Sequence, residues 1–172
     1  KSRNPRSKSN EHHEMVTGMT RTAALILFLP FISFILILFV PEKNRNFAGW
    51  LACTGIFGSF LLSAKLFWAL TQDHSFEALQ SAVPWIALPQ LNLELGVLVD
   101  RLSVLMLLVV TGVGSGVFYY SLEYMSHDEG YKRYFSGLSL FAFSMIGIVV
   151  SNNLLQLFIF WELVGLSSYL LI

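Results

Sequence analysis

The sequence predicts an all-α integral membrane protein: five transmembrane helices of a larger bundle, with a short hairpin outside the membrane between the second and third. Three observations carry this reading. The chain of 172 residues is 55% hydrophobic and only 13% charged, about half the charge of an ordinary soluble domain. Its apolar residues gather into runs long enough to cross a bilayer, which takes about 20 residues. Within one run, Leu154 to Ile172, a single carboxylate, Glu162, stands near the middle. An ionised group at that depth costs about 2.5–3.5 kcal/mol even on lenient insertion scales, so it marks a functional site by default.

Residues 1–21 form a polar tail with Lys1, Arg3, Arg6, Lys8 and Arg21. It lacks apolar periodicity and is expected to be disordered. Met15 and Met19 precede the first apolar run, so an upstream extension or a misplaced start is one reading of the tail. The run that follows is too long for a signal peptide and has no small-residue cleavage pattern. The five expected spans cover about 22–40, 47–70, 97–120, 134–150 and 154–172 of a transmembrane domain, residues 22–172. Pro30 falls inside the first span, where neighbouring helices must accommodate a kink. Between the second and third spans, Leu91-Asn92-Leu93-Glu94-Leu95 alternates with period two, the pattern of a strand or hairpin. The fifth span stops at Ile172 without cap, loop or basic flank, which reads as a chain truncated at its C-terminus.

Short basic loops set the expected topology. Lys43 and Arg45 lie between spans one and two, and Lys132 and Arg133 between spans three and four; the hairpin and the Ser151-Asn152-Asn153 turn carry no basic residue. The positive-inside rule places both basic loops in the cytoplasm and the N-terminus outside. The basic tail argues the other way and is outweighed by the two short loops.

Lipid provides no hydrophobic drive between helices, so association depends on close packing of small residues. Gly55, Ser59 and Ser63, Gly112 and Gly116, and Ser144, Gly147 and Ser151 form such stripes and read as packing surfaces. Gly165 and Tyr169 share the face of Glu162, with Ser168 beside them, leaving room for water. Glu162 then has two readings: a structural acid paired to a neighbouring helix, or a proton-relay group. An acid whose distance to a cation changes can take up and release a proton. Lys65 is expected to snorkel to the membrane surface. Asp100 and Arg101 open the third span and either pair or cap it, while Glu123, Asp128 and Glu129 fall in a solvated connection.

Several chemistries find no support. The zero net charge and the lack of a basic stripe with interleaved aromatics give no sign of nucleic-acid binding. The single Cys53 allows neither an internal disulfide nor a cysteine metal cluster. His12 and His13 read as a solvated pair, and no metal site is expected.

The order of motifs resembles the antiporter-like subunits of respiratory complex I. Leu98-Val99-Asp100-Arg101-Leu102-Ser103, Val110-Thr111-Gly112-Val113-Gly114 and Tyr120-Ser121-Leu122-Glu123-Tyr124-Met125 resemble the third helix and following loop. Gly130-Tyr131-Lys132-Arg133-Tyr134-Phe135 resembles the start of the next helix. Phe160-Trp161-Glu162-Leu163-Val164-Gly165-Leu166, continuing to Ile172, is similar to the most recognisable helix of that family, in its chain 5 (subunit L) type.

The resemblance implies a proton-translocating membrane subunit of an NADH:quinone oxidoreductase, with Glu162 as proton relay facing a lysine beyond Ile172. It implies that NADH, flavin, iron–sulfur clusters and quinone are bound by partner subunits and that this chain holds no cofactor. It also implies a neighbouring antiporter-like subunit as partner, and a multi-pass location in a bacterial inner membrane. Two positions depart from the pattern: Phe118 stands where the family often has histidine, and Glu123 where it usually has a small or aromatic residue. The alternative function is the large subunit of a multisubunit cation/proton antiporter, which shares the fold and the glutamate.

Overall fold

The computed structural model describes residues 5–72, 78–88 and 91–172. Helix α1 spans Pro5–Phe39, and a short 3-10 turn at Glu42–Asn44 leads into α2, Arg45–Gln72. Strands β1 (Leu79–Leu88) and β2 (Leu91–Val99) follow, then α3 (Arg101–Tyr124), α4 (Tyr131–Val150) and α5 (Leu154–Leu171). Among the described residues, five helical segments, one in each of α1 to α5, are long and apolar enough to cross a membrane.

Two expectations about boundaries need correction. The tail expected to be disordered is helical from Pro5. Proline suits a first helical turn, where its missing N–H has no intrahelical partner to lose. Adding residues to an existing helix also avoids the cost of nucleating a new one. The third span begins at Arg101 rather than at 97, because Val97, Leu98 and Val99 pair in β2 with Ser81, Gln80 and Leu79. Asp100 then caps α3: its backbone is extended, and its Oδ1 accepts from the Ser103 amide at 2.6 Å. The helix continues past the expected end to Tyr124.

The expected hairpin is present as an antiparallel pair running from Leu79↔Val99 to Leu88↔Leu91. Its register slips between Pro84 and Ile86. A proline cannot donate to the ladder, and an irregularity beside it is where strands tolerate one.

In the bundle, α4 is central. It packs against α1, α2, α3 and α5, whereas α5 packs chiefly against α4. Accordingly 61% of the α4 span is buried and only 11% of the α5 span. Most residues of the small-residue stripes serve contact, whereas Gly116 is exposed and a Cβ on it would meet open space. A Cβ on Gly112 would lie 3.2 Å from the Phe60 ring, and one on Gly55 would collide with Ser33. Buried hydroxyls turn inward to their own helices: Ser63 to Ser59, Thr111 to Leu107, Ser139 to Phe135 and Ser144 to Leu140, each on a backbone carbonyl.

Ser59 does more. Pro30, buried inside α1, cannot supply the N–H that would bond the Ile26 carbonyl one turn back. The Ser59 hydroxyl of α2 donates to that same carbonyl at 2.9 Å. The proline thus frees an acceptor, and a neighbouring helix fills it, as a lipid-surrounded backbone requires.

The hairpin is tied to the α4–α5 corner. Gly96 N donates to Gln156 Oε1 at 3.0 Å, and Gln156 Nε2 donates back to Gly96 O at 2.9 Å. Asn153 Nδ2 reaches the Glu94 carbonyl, and Val97 bridges to Ser151. Only glycine fits at 96, since a Cβ there would lie 2.7 Å from the Ser81 carbonyl. At the opposite end, the Arg45 guanidinium donates to the Ser126 and Asp128 carbonyls at 3.1 and 3.2 Å. The two basic loops therefore occupy the same end of the bundle, as their charges led one to expect.

Three outcomes follow from these contacts. Ser59→Ala should destabilise the bundle by about 0.6–1.7 kcal/mol, the range for interhelical hydrogen bonds in membranes. The loss should shrink in a Pro30→Ala background, where the helix satisfies Ile26 itself; a double-mutant cycle on detergent unfolding measures the coupling. Gln156→Leu should leave both Gly96 backbone groups unpaired, each at a cost of about 1–3 kcal/mol, and hydrogen exchange at residues 91–99 should accelerate. Hydrogen bonds from Ser103, side chain first and then amide, hold the Asp100 carboxyl below its ordinary value of 3.8. Its stabilising contribution should therefore be complete above the ordinary carboxylate range and disappear as pH falls through the lowered value. Asp100→Ala should remove that acid sensitivity and cost about 1 kcal/mol of cap stability at neutral pH, read by thermal melts across pH.

Candidate functional site on helix α5

Helix α5 begins where Asn153 caps it, with Asn153 Oδ1 accepting from the Gln156 amide at 2.8 Å. Gln156, one turn on, is buried and locked to Gly96. These two residues fix both the start of the helix and its rotation. The α4 seam continues the constraint: a Cβ on Gly147 would run into the Phe160 ring, and the Phe143 and Phe160 rings meet edge-on at 5.4 Å. Further along, a Cβ on Gly137 would lie 3.2 Å from Leu171. Ser167 is buried on this side, its hydroxyl bonded to the Val164 carbonyl at 3.0 Å.

With that face set, Glu162 points the other way. It lies about half-way along a helix of 18 residues, roughly 27 Å long, and it is exposed. Gly165, Ser168 and Tyr169 are exposed with it, as their spacing predicts, and a Cβ on Gly165 would meet open space. Phe158, Trp161 and Leu166 complete an outward surface that is apolar apart from the acid and its small or hydroxylated neighbours. The structure thus gathers Glu162, Gly165, Ser168 and Tyr169 on one free face.

The other candidates lie elsewhere. Lys65 is exposed on α2 and lines a small cavity of about 230 Å³ with Gly18 and Thr22 of α1. Asp100 is a helix cap, and Arg101 is exposed at the first turn of α3. Glu123, Asp128 and Glu129 are exposed in and beside the connection to α4, where Asp128 Oδ1 accepts from the Gly130 amide. Phe118, at the position where a histidine was a point of comparison, is buried and borders an apolar cavity of about 280 Å³ with Leu138 and Ala142. Cys53 is half-buried in α2. The side chains of His12 and His13 lie outside the described residues. Among the described residues, no group of three His, Cys, Asp or Glu side chains is placed to hold a metal.

Gln156 had no role in the sequence reading, although it positions α5. Its signal was faint: one amide in an apolar helix, a turn after a capping asparagine. Its partner is a backbone glycine far away in sequence, which no local pattern reveals.

Comparisons with known proteins agree with this architecture. The family described as NADH-Ubiquinone oxidoreductase (complex I), chain 5 N-terminus, matches residues 85–135. The chain is 45% identical over 155 residues to NAD(P)H-quinone oxidoreductase subunit 5, chloroplastic, of Chara vulgaris, covering 86% of this chain and 23% of that protein. It is 48% identical over 131 residues to the corresponding subunit of Zygnema circumcarinatum, covering 76% of this chain and 18% of that protein. It is 45% identical over 122 residues to NAD(P)H-quinone oxidoreductase chain 5 of Synechocystis sp., covering 71% and 17%. The chain therefore spans about a fifth of the length of these relatives. Among solved structures, the Mrp complex from Dietzia sp. matches with a TM-score of 0.66 and 26% identity, over 89% of this chain and 15% of that one. The five apolar helices and these similarities describe a multi-pass membrane protein, similar over most of its length to subunit 5 of NAD(P)H-quinone oxidoreductases.

Proposed function

We propose that this chain is part of a proton-translocating membrane subunit of an NADH:quinone oxidoreductase, and that Glu162 is a proton relay in it. The observation that carries the reading is the exposure of Glu162 at the centre of an apolar helix. A carboxylate left against lipid costs about 2.5–3.5 kcal/mol, so that face of α5 is one that protein and water cover in the assembled subunit. Gly165 and Ser168 leave space for water beside it. A lysine supplied by the covering helices completes the relay: the acid holds a proton when the cation is distant and releases it when the cation approaches.

The chain's own groups handle protons only. The single Cys53 cannot hold an iron–sulfur cluster, which needs a set of cysteine thiolates. NADH, flavin, iron–sulfur clusters and quinone are then tasks of partner subunits, and this chain couples to them through neighbouring membrane subunits, first among them another antiporter-like one. The basic loops, joined by Arg45, face the cytoplasmic side by the positive-inside rule.

A second reading is the large subunit of a multisubunit cation/proton antiporter, and the fold shared with the Mrp complex favours it. The identities of 45–48% to quinone oxidoreductase subunits, against 26% to the Mrp chain, favour the first. Glu162→Gln in the complete subunit separates the readings. With the complex assembled, NADH-driven proton pumping in vesicles should fall to near background. Unchanged pumping and quinone reduction would refute the relay. Loss of sodium/proton exchange without any NADH-driven activity in the parent would establish the antiporter instead.

A further inference from the structure

We infer that the groove between α1, the hairpin and α5 is a binding site for an anionic phospholipid. The groove has a volume of about 640 Å³, within the range of sites that hold a small molecule. Its walls come from Arg21, Leu27 and Phe28 of α1, Gln80 and Ser81 of β1, Gly96 of β2 and Phe160 of α5. Polar and apolar parts are separated. Arg21, Gln80 and Ser81 are exposed, while Leu27 is buried and Phe160 half-buried.

The position explains what would occupy it. Arg21 directly precedes the apolar run at residues 22–40, at the edge of the hydrocarbon region, where the polar headgroups and their phosphates begin. A guanidinium presents paired donors that match a phosphate, and its charge favours a net-anionic headgroup over one that brings its own cation. Among the described residues, no acidic side chain lines the groove to compete. Beside Arg21, the α1 surface turns apolar and exposed at Leu25, Phe28 and Ile32, so an acyl chain can run down from the headgroup along Phe28 towards lipid. The headgroup also lies next to the Gln156–Gly96 bonds. Occupancy would therefore hold the hairpin against α1 and α5, at the end of the helix that carries Glu162.

The test uses the complete subunit within its complex, exchanged into nanodiscs of phosphatidylcholine with or without phosphatidylglycerol. Native mass spectrometry counts retained lipid, and hydrogen exchange follows residues 79–97. Phosphatidylglycerol should be retained and should slow exchange in the hairpin. Arg21→Gln should lower its retention by about fivefold, the factor one basic residue contributes at a membrane surface, and Arg21→Lys should restore part of it. Ala24→Trp, which fills the groove and leaves Arg21 in place, should also lower retention. Equal retention in wild type, Arg21→Gln and Ala24→Trp would overturn the site, as would equal protection by phosphatidylcholine alone. Protection by inorganic phosphate alone, in detergent, would overturn the lipid assignment. So would failure of Ala24→Cys to react with a maleimide after delipidation, which would show the groove filled by protein.

Discussion

A helix surrounded by lipid must satisfy every backbone polar group from within the protein, and the contacts that hold this bundle together are answers to that constraint. Pro30 withdraws an N–H from α1, and the Ser59 hydroxyl crosses from α2 to the Ile26 carbonyl. The hairpin breaks away from the helical pattern, and the Gln156 amide pairs both backbone groups of Gly96 where it returns. Buried hydroxyls are spent on carbonyls one turn back in their own helices. The interior of the five helices is consequently a packed and internally bonded body, with the ionisable chemistry placed outside it.

That placement gives Glu162 its meaning. The central helix, α4, is surrounded on its sides by the others, while α5 is held by one seam of Phe160, Leu171 and the glycines opposite them. The seam fixes the rotation of α5, and the rotation sends the acid outward. A carboxylate with no place in the core and a high cost against lipid is what the proposed relay rests on, with a cation on further protein at a changing distance. The hairpin lock at Gln156 sits on the same helix, so a movement of the hairpin end is mechanically connected to the acid.

Much of the fold was legible because the signals were local. Span lengths follow from apolar runs, and the period-two alternation at Leu91 to Leu95 marked β2. The third span was misplaced by its first residues because Val97, Leu98 and Val99 suit a strand and a buried helix equally; the pairing with Ser81, Gln80 and Leu79 decided between them. The polar tail was read as disordered for want of an apolar face, yet attachment to a long helix lets residues from Pro5 extend it. The resemblance in Phe160 to Ile172 pointed to Glu162, and the comparisons then supplied similar subunits but not the role of that residue.

By itself, the sequence determined the number of membrane-crossing helices, the end of the bundle that carries the basic loops, and the presence of one costly acid among apolar residues. These follow from composition along short stretches, where transfer energy adds residue by residue. Only the tertiary structure decided which way the acid faces, that Ser59 serves a proline in another helix, and that Gln156 anchors a distant glycine. Those depend on helix rotation, and rotation is set by the fit of side chains across a seam, which no single stretch of sequence contains.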